Sequence, residues 1–509
     1  MYNIYVQVIY GQSLSSDTEA SYISALRLYA NRIAEEFEDD ADAYIESIES
    51  RKKRTEEFLK VDSQFKGERD LFFVLREWNS YTPVVPDEQE LNRGGGYFIW
   101  TGNQGIVIDP GFNFIENFHK AGGRVCDIHH IVITHAHGDH TADFESLLTL
   151  LYEYNDERKK EHKIEVGKSR EKEETLTSKP ELKKVNLFLN QGAARKFSGL
   201  YSLRGTPYLN EIKILNRGSK KHPQIVDFPG LSHLRMTILR AYHDDIITKD
   251  NAVGLGFEFT FNKEKPVVNR RILLTSDSSL FPKNEKQRDK HDRNKGELLE
   301  EKNGIRKDTA LYTQYPDGWK NPNLMIPHLG SILDFEIKPE LEKIDKEAIT
   351  PKFYENHLGL RGVLIMLDRL RPDAAVLSEF GEELKEIKFP LAEKIQKQLK
   401  KIQEDVNKEE KEIKEIPVIP GDITIVYDIK DAKFFCHETL DFENISNLTV
   451  KGIENPESSG SSVKIKRTYL FKTEEIPKRD IDFSLDEYNN HLKHYRLNYH
   501  VNSKIEDDS

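Results

Sequence analysis

Residues 127–140 read DIHHIVITHAHGDH, an apolar run closed by three histidines and an aspartate in the spacing HxHxDH. The stretch 127–134 reads as a β-strand. FESLLTLLYEY at 144–154 reads as an amphipathic helix with Phe144, Leu147, Leu148 and Leu151 on one face. His135 and His137 therefore alternate out of a strand end, and Asp139 and His140 open a helix. Three imidazoles and one carboxylate on so short a turn converge on a small volume, and such donors suit zinc, and also manganese or iron. The helix N-terminus would favour a hydroxide or another anionic group gathered there. An inert surface cluster is the bland reading, and the whole pattern placed directly after a strand argues against it.

Outward from this turn, the chain keeps alternating strands with helices. Upstream, GGG at 94–96 is a turn, and YFIW (97–100) and GIVIDPG (105–111) read as two strands. Downstream, strands are expected at VNLFL (185–189), MTILRAY (236–242), VGLGFEFTF (253–261) and RILLTSD (271–277). NLMIPHLGSI (323–332) is followed by an expected helix, RGVLIMLDRL (361–370), and a strand, AAVLSEF (374–380). Ile395, Leu399, Ile402 and Val406 mark a long charged helix, and GDITIVYDI (421–429) and AKFFC (432–436) add strands.

The ordered set of motifs resembles the metallo-β-lactamase superfamily, which carries HxHxDH at a strand–helix junction. That resemblance implies an α/β, four-layer αββα fold over roughly 90–430. It makes His135, His137 and His243 ligands of a first metal and Asp139 and His140 ligands of a second. Asp277, at the end of ILLTSD, becomes the carboxylate bridging both. Asp109, in GIVIDPG, becomes the group that orients a ligand histidine. Two zinc ions are implied, with manganese or iron as alternatives, holding a bridging hydroxide between them. Read without the resemblance, Asp109 could simply cap its turn, His243 could be a surface histidine, and Asp277 could cap a strand.

The family pattern needs one more histidine for the second metal. His328 ends a strand in LMIPHLGSI, and His357 opens a helix in NHLGLRG. The stretch from His357 through SEFGEE resembles the end of the nucleases RNase Z and RNase J. By that alignment His357 faces the substrate or donates a proton, and the last ligand falls near Glu379 or Phe380, where histidine is absent. Three readings stay open. His328 or His357 supplies the ligand, Glu379 substitutes as an oxygen donor, or the position is open. The set carried forward as metal ligands is His135, His137, Asp139, His140, His243, Asp277 and His328. Asp139 and His357 are the catalytic candidates, the first accepting or positioning a proton and the second hydrogen-bonding the developing oxyanion or protonating the leaving oxygen.

The resemblance points to a metal-dependent phosphodiesterase or nuclease acting on RNA or DNA. Lys- and Arg-bearing insertions at 158–172 and 283–307 are readable as arms for a polyanion, or as ordinary solvated loops. The long insertion of RNase J is missing, since Asp277 and His357 are only about 80 residues apart. A hydrolase of a cyclic nucleotide, lactone or thioester is the alternative within the fold. An assembly or regulatory subunit using the fold as a scaffold is the alternative outside enzymes.

The remaining composition sets bounds. The 509 residues are 37% apolar and 32% charged, with a formal net charge of −12, which excludes a surface that attracts nucleic acid everywhere but not a local basic groove. Only two cysteines, Cys126 and Cys436, occur, which suits a reducing, cytoplasmic setting. No apolar run is long enough to span a membrane, and MYNIYVQVIY lacks the basic start of a signal peptide. Residues 1–10 alternate loosely as a short strand would. Ser16 and Glu19 are spaced as a capping box, with Tyr22, Leu26, Tyr29 and Ile33 behind them at helical spacing.

Residues 1–80 are thus read as an N-terminal helical elaboration offering a surface for a homo-oligomer or protein partner. The catalytic domain follows at 81–430, with charged insertions near 155–184 and 282–308, and a polar extension at 431–509. Trp78, Tyr81 and Trp100 are aromatic candidates for a substrate cleft, although aromatics beside strands usually belong to a core.

Overall fold

The computed structural model describes residues 16–59, 63, 65, 69–76, 94–171, 180–199, 208–216, 223–245, 248–262, 266–280, 301–302, 305–306, 319–338, 353–406, 413–421, 425–436, 465–466 and 482–483. The expected strand at 1–10, Trp78, Tyr81 and most of the segments 282–308 and 431–509 lie outside them. The chain divides into two compact units, Met1–Lys60 and Val61–Ser509. In the first, helices α1 (Ser16–Phe37) and α2 (Ala41–Phe58) are joined by a short turn across which Phe37 and Tyr44 meet edge to face at 5.5 Å. α1 starts at Ser16, where the sequence places its cap.

The second unit is built on two large sheets. In chain order the first contains β1 (Leu71–Val74), β2 (Tyr97–Thr101), β3 (Gln104–Ile108), β4 (Ile128–Ile133), β5 (Val185–Asn190) and β6 (Leu209–Leu215). The second contains β7 (Ile225–Asp227), β8 (Leu234–Asp244), β9 (Asn251–Phe261), β10 (Val268–Leu274), β11 (Leu324–Ile326), β12 (His328–Gly330), β13 (Ala374–Phe380) and β14 (Val418–Pro420). β15 (Ile425–Asp428) and β16 (Lys433–Cys436) return to the first sheet, whose order is β16-β15-β1-β2-β3-β4-β5-β6. The second runs β12-β13-β11-β10-β9-β8-β7, with β14 also pairing with β13. In each sheet an antiparallel half gives way to a parallel one, at β3–β4 in the first and β10–β11 in the second.

The inner faces of both sheets meet in one core. Phe72, Ile99, Ile106, Val132 and Phe188 from the first pack with Met236, Leu255, Phe257, Ile272 and Val376 from the second. Outside the second sheet lie α4 (Gly359–Leu370) and α5 (Lys388–Val406), which bury Val363, Met366, Leu367, Ile395 and Leu399 against Leu273, Met325 and Leu377. Outside the first, Phe118 of the short helix Phe114–Lys120 sits on Phe98 at 4.9 Å. Further along the chain, after β4 and the HxHxDH turn, comes α3 (Phe144–Glu171), which buries Phe144, Leu147, Leu148 and Leu151. This is the four-layer αββα arrangement that the motif order predicts.

Three segments differ from the sequence reading. α3 does not stop near residue 154 but continues to Glu171, through the segment read as a charged insertion. Charge does not break a helix, and Lys160 pairs with Asp156 and Glu157 one turn back. β1 comes from within the segment assigned to the helical elaboration, and β16 from within the one assigned to the polar extension. Both are short apolar runs, whose strand pairing only the tertiary structure settles.

One buried histidine away from the strand ends sets a pH dependence. His130 on β4 donates Nε2–H to Gln104 Oε1 at 2.7 Å and accepts at Nδ1 from Asn186 Nδ2 at 3.1 Å. Burial, followed by neighbouring His129, pushes it down to about 3. The unfolded chain takes up a proton at about 6.5 that the folded chain refuses. Stability therefore falls as pH drops from about 6.5 towards about 3, by up to about 1.4 kcal/mol per pH unit from this group. Between pH 6.5 and 5, wild type is expected to lose about 1.5 kcal/mol more than His130→Gln in urea denaturation. Parallel profiles for the two proteins would refute this assignment.

Candidate metal centre

Three strands of the two sheets end at one place, and the residue at or just past each end has a left-handed backbone. Asp109 after β3 has φ 49°, Ser276 after β10 has φ 54° and Glu379 in the last turn of β13 has φ 55°. A non-glycine residue held there costs about 1 kcal/mol or more, so the surrounding contacts must fix each one. The closeness of the fit is clear at Gly111, where an added Cβ would lie 1.8 Å from the Asp139 carbonyl oxygen.

Asp109 is fully buried and organises the HxHxDH turn. It accepts from the Thr134 amide and the Thr134 hydroxyl, both at 2.7 Å, and from His140 Nδ1 at 2.9 Å. Ser276 Oγ in turn donates to Thr134 Oγ1 at 2.9 Å. On the other side of the turn, Asp245 accepts from the Ala136 amide at 2.9 Å, and Lys196 Nζ donates to the Ala136 carbonyl and Thr141 Oγ1, each at 2.8 Å. The loop is tied from both sides before any ligand is considered.

Three imidazoles and a carboxylate then converge. His137 Nδ1 is 3.1 Å from His135 Nε2 and 3.2 Å from His243 Nε2. Asp277 Oδ2 is 3.5 Å from His135 Nε2 and 3.8 Å from His243 Nε2. Donor atoms about 2.0–2.1 Å from one tetrahedral ion stand roughly 3.3 Å apart, so these separations fit a single shared cation. His243 donates its other nitrogen to the Asn356 carbonyl at 2.8 Å, which turns Nε2 inward. Burial lowers both His135 and His137, so their nitrogens are neutral and available as lone-pair donors.

A second group lies beside the first. With Nδ1 held by Asp109, His140 presents a buried Nε2 that has no hydrogen-bond partner. It lies 3.4 Å from Asp277 Oδ2 and 3.7 Å from both Asp139 Oδ2 and Glu379 Oε1. Burial lowers the His140 pKa, but Asp139, Asp277 and Asp109 outweigh it and hold the imidazole well above its usual value. A proton is thus drawn to the place where a cation would sit. The donor atoms of His135, His137, His243 and Asp277 lie within 4.8 Å of one another, as do those of Asp139, His140 and Glu379, and those of Asp277, His328 and Glu379. The residues present fit bound divalent cations.

His328 is in the site with both ring nitrogens engaged. Nδ1 is 3.0 Å from Asp277 Oδ1 and Nε2 is 3.0 Å from the Tyr97 hydroxyl, which itself lies 2.6 Å from Ser378 Oγ. Burial lowers His328 to about 4. His357 reaches the same carboxylate, with Nδ1 buried, unpartnered and 3.7 Å from Asp277 Oδ1. Its ring is 5.3 Å from that of His243. Trp100 is buried, stacked at 4.9 Å on Phe65.

The residues that the sequence reading missed are Arg76, Tyr97, Ser378 and Asp245. Arg76 follows β1 and forms a fully buried ion pair with Glu379. It also donates to the Gly95 and Asp139 carbonyls at 2.8 and 2.7 Å. Burial opposes its charge, and the Glu379 carboxylate overcomes that and holds Arg76 well above the ordinary arginine value. Its one trace in the sequence is a lone arginine directly after the apolar run LFFVL.

The αββα fold and the histidine-rich strand–helix junction are those the sequence motifs predict, and over residues 96–179, which hold the HxHxDH turn, the chain matches the family model described as Metallo-beta-lactamase superfamily. Among solved structures it is similar to the metallo-beta-lactamase fold protein YhfI from Bacillus subtilis, at 11% identity over 70% of this chain and 99% of that one, with a TM-score of 0.39. It is also similar to unliganded yeast PDE1, at 9% identity over 70% and 98% of the two chains, with a TM-score of 0.39. A long form RNase Z from yeast is similar at 12% identity over 62% of this chain and 38% of that one, with a TM-score of 0.36. No curated protein matches the sequence. Among the described residues, no helix is long and apolar enough to cross a membrane.

Proposed function

We propose that this chain is a divalent-metal-dependent phosphodiesterase whose substrates are RNA or DNA. The observation that carries the reading is the position of Asp277. Its Oδ2 lies between the imidazoles of His135 and His243 on one side and His140 on the other. One carboxylate shared by two donor groups suits a pair of ions, zinc in the three-imidazole group first. When bound, such a pair supplies Lewis acidity towards a phosphoryl oxygen and an activated water.

The chain's own residues do the rest. Asp109 fixes His140 with Nε2 inward, and His328 holds Asp277 from behind, as a positioning residue. Asp139 is the proton acceptor at the second donor group. His357, whose buried Nδ1 has no hydrogen-bond partner among the described residues, is placed to hydrogen-bond the leaving oxygen. The resemblance of the stretch from His357 to Glu383 to the ends of RNase Z and RNase J favours nucleic acid over a smaller ester.

The test pairs ion content with hydrolysis of labelled single-stranded and structured RNA and DNA, with a cyclic nucleotide, a lactone and a thioester as parallel substrates. About two ions per chain and chelator-sensitive cleavage of nucleic acid are expected. Hydrolysis confined to the lactone or thioester would replace this reading with the small-molecule one, and no hydrolysis at all would favour a scaffold. Asp139→Ala is expected to slow cleavage by about 10²–10³-fold with the fold intact, and a folded variant of full activity would remove Asp139 from the reaction.

A further inference from the structure

We propose that Glu379, clamped by Arg76, is itself a ligand of the second cation, and that its carboxylate narrows the preference of this position for Zn²⁺ over Mn²⁺. The inference rests on the metal-dependent reading above and adds the identity of one ligand and its effect on ion choice. Glu379 is 1% exposed, and its backbone sits in the left-handed region. Arg76 Nη1 pairs with its Oε1, which also lies 3.7 Å from His140 Nε2. Among the described residues neither Glu379 Oε2 nor His140 Nε2, which lies 3.7 Å from the other Glu379 oxygen, has a hydrogen-bond partner. A buried carboxylate oxygen and a buried ring nitrogen left unpartnered in one group are costly without a donor or a cation.

The composition of the two groups sets the preference. The first group offers three imidazoles and one shared carboxylate, His135, His137, His243 and Asp277. The second offers the carboxylates of Asp139, Glu379 and the shared Asp277 with the imidazole of His140, while the neighbouring His328 has its two nitrogens held by Asp277 and Tyr97. Imidazole donors suit zinc, whereas carboxylate oxygens suit harder ions such as manganese. Three carboxylates around one divalent ion leave surplus negative charge, and the buried Arg76 guanidinium offsets it. Arg76 also donates to the Asp139 carbonyl at 2.7 Å, so the same cation braces two of the oxygen-bearing residues.

The experiment uses the full chain, stripped of metal and reloaded with one equivalent of Zn²⁺. It is then titrated with Mn²⁺, followed by loss of the free-ion electron paramagnetic resonance signal. A parallel titration with further Zn²⁺ competes against a chromophoric chelator. Wild type is expected to take up one Mn²⁺ beside the resident Zn²⁺, with a narrower gap in affinity between a second Zn²⁺ and Mn²⁺ than Glu379→His shows. Glu379→Gln should weaken Mn²⁺ binding by about 10–100-fold or more while the first Zn²⁺ stays bound. Glu379→His should widen the preference for Zn²⁺, weakening Mn²⁺ and tightening the second Zn²⁺. A purely electrostatic Glu379 predicts instead that the histidine variant weakens both ions alike. That result, or unchanged Mn²⁺ affinity in Glu379→Gln, would overturn the proposal while leaving the functional reading in place. A wild-type chain that fails to hold even the first Zn²⁺ would overturn both.

Discussion

Asp277→Ala is expected to lower turnover on a phosphodiester by about 10⁴-fold and to reduce ion content from two per chain to one or none. Asp277 approaches candidate ligand atoms of both donor groups, at 3.5 Å from His135 Nε2 and 3.4 Å from His140 Nε2. Its other oxygen accepts from His328 Nδ1 at 3.0 Å. Truncation therefore removes a shared donor and leaves a buried N–H without an acceptor, at a stability cost of about 1–3 kcal/mol. Asp277→Asn separates the two effects. It keeps an oxygen for His328 and most of the stability, yet loses the negative charge between the two groups. Elemental analysis with kcat/KM and circular dichroism reads both variants. A folded Asp277→Ala protein with two ions and near-normal turnover would defeat the shared-carboxylate reading.

Asp109 carries the largest expected effect on stability. Asp109→Ala leaves the Thr134 amide, the Thr134 hydroxyl and His140 Nδ1 without their acceptor in a fully buried setting. The expected loss is about 3–5 kcal/mol, measured by chemical denaturation. Asp109→Asn is gentler, because asparagine tolerates the left-handed backbone at φ 49° and can still accept from the Thr134 amide. Its carboxamide N–H₂ then confronts His140 Nδ1–H, and the imidazole escapes by moving its proton to Nε2. That tautomer closes the lone pair facing Asp139, Asp277 and Glu379. Affinity for the second ion should fall by about 10–100-fold while the first is retained. Equal loss at both positions would show that Asp109 supports the whole turn rather than His140.

The contrast between these carboxylates and Arg76 explains what the sequence makes legible. HxHxDH, Asp109, His243 and Asp277 all sit at the ends of strands that announce themselves by apolar periodicity. Residues that close local motifs carry their own address. Arg76 does not, because it lies in an ordinary strand-end context and becomes meaningful only through Glu379, which the alignment names as a possible oxygen donor. His328 shows a related limit. Its strand-end position was readable, but the Tyr97 and Asp277 partners that occupy its two nitrogens come from β2 and from the turn after β10. The early end of α3 and the late start of the first sheet are errors of another kind. Charge density hid a helix that ion pairs along one face support, and a four-residue apolar run was too short to declare itself a strand.

The pairing of β1 with β15 also fixes an order of events during synthesis. Leu71–Phe73 bond to Val426–Asp428, and Arg76 waits for a partner 303 positions later in the chain. At about 5–20 residues per second, a ribosome needs roughly 15–60 s to deliver Glu379 after Arg76. Throughout that interval one edge of β1 is unpaired and a guanidinium destined for burial has no carboxylate. The nascent chain therefore passes through a stage in which this apolar edge is open, and it closes at β15 only after Glu379 has completed the candidate metal-binding group.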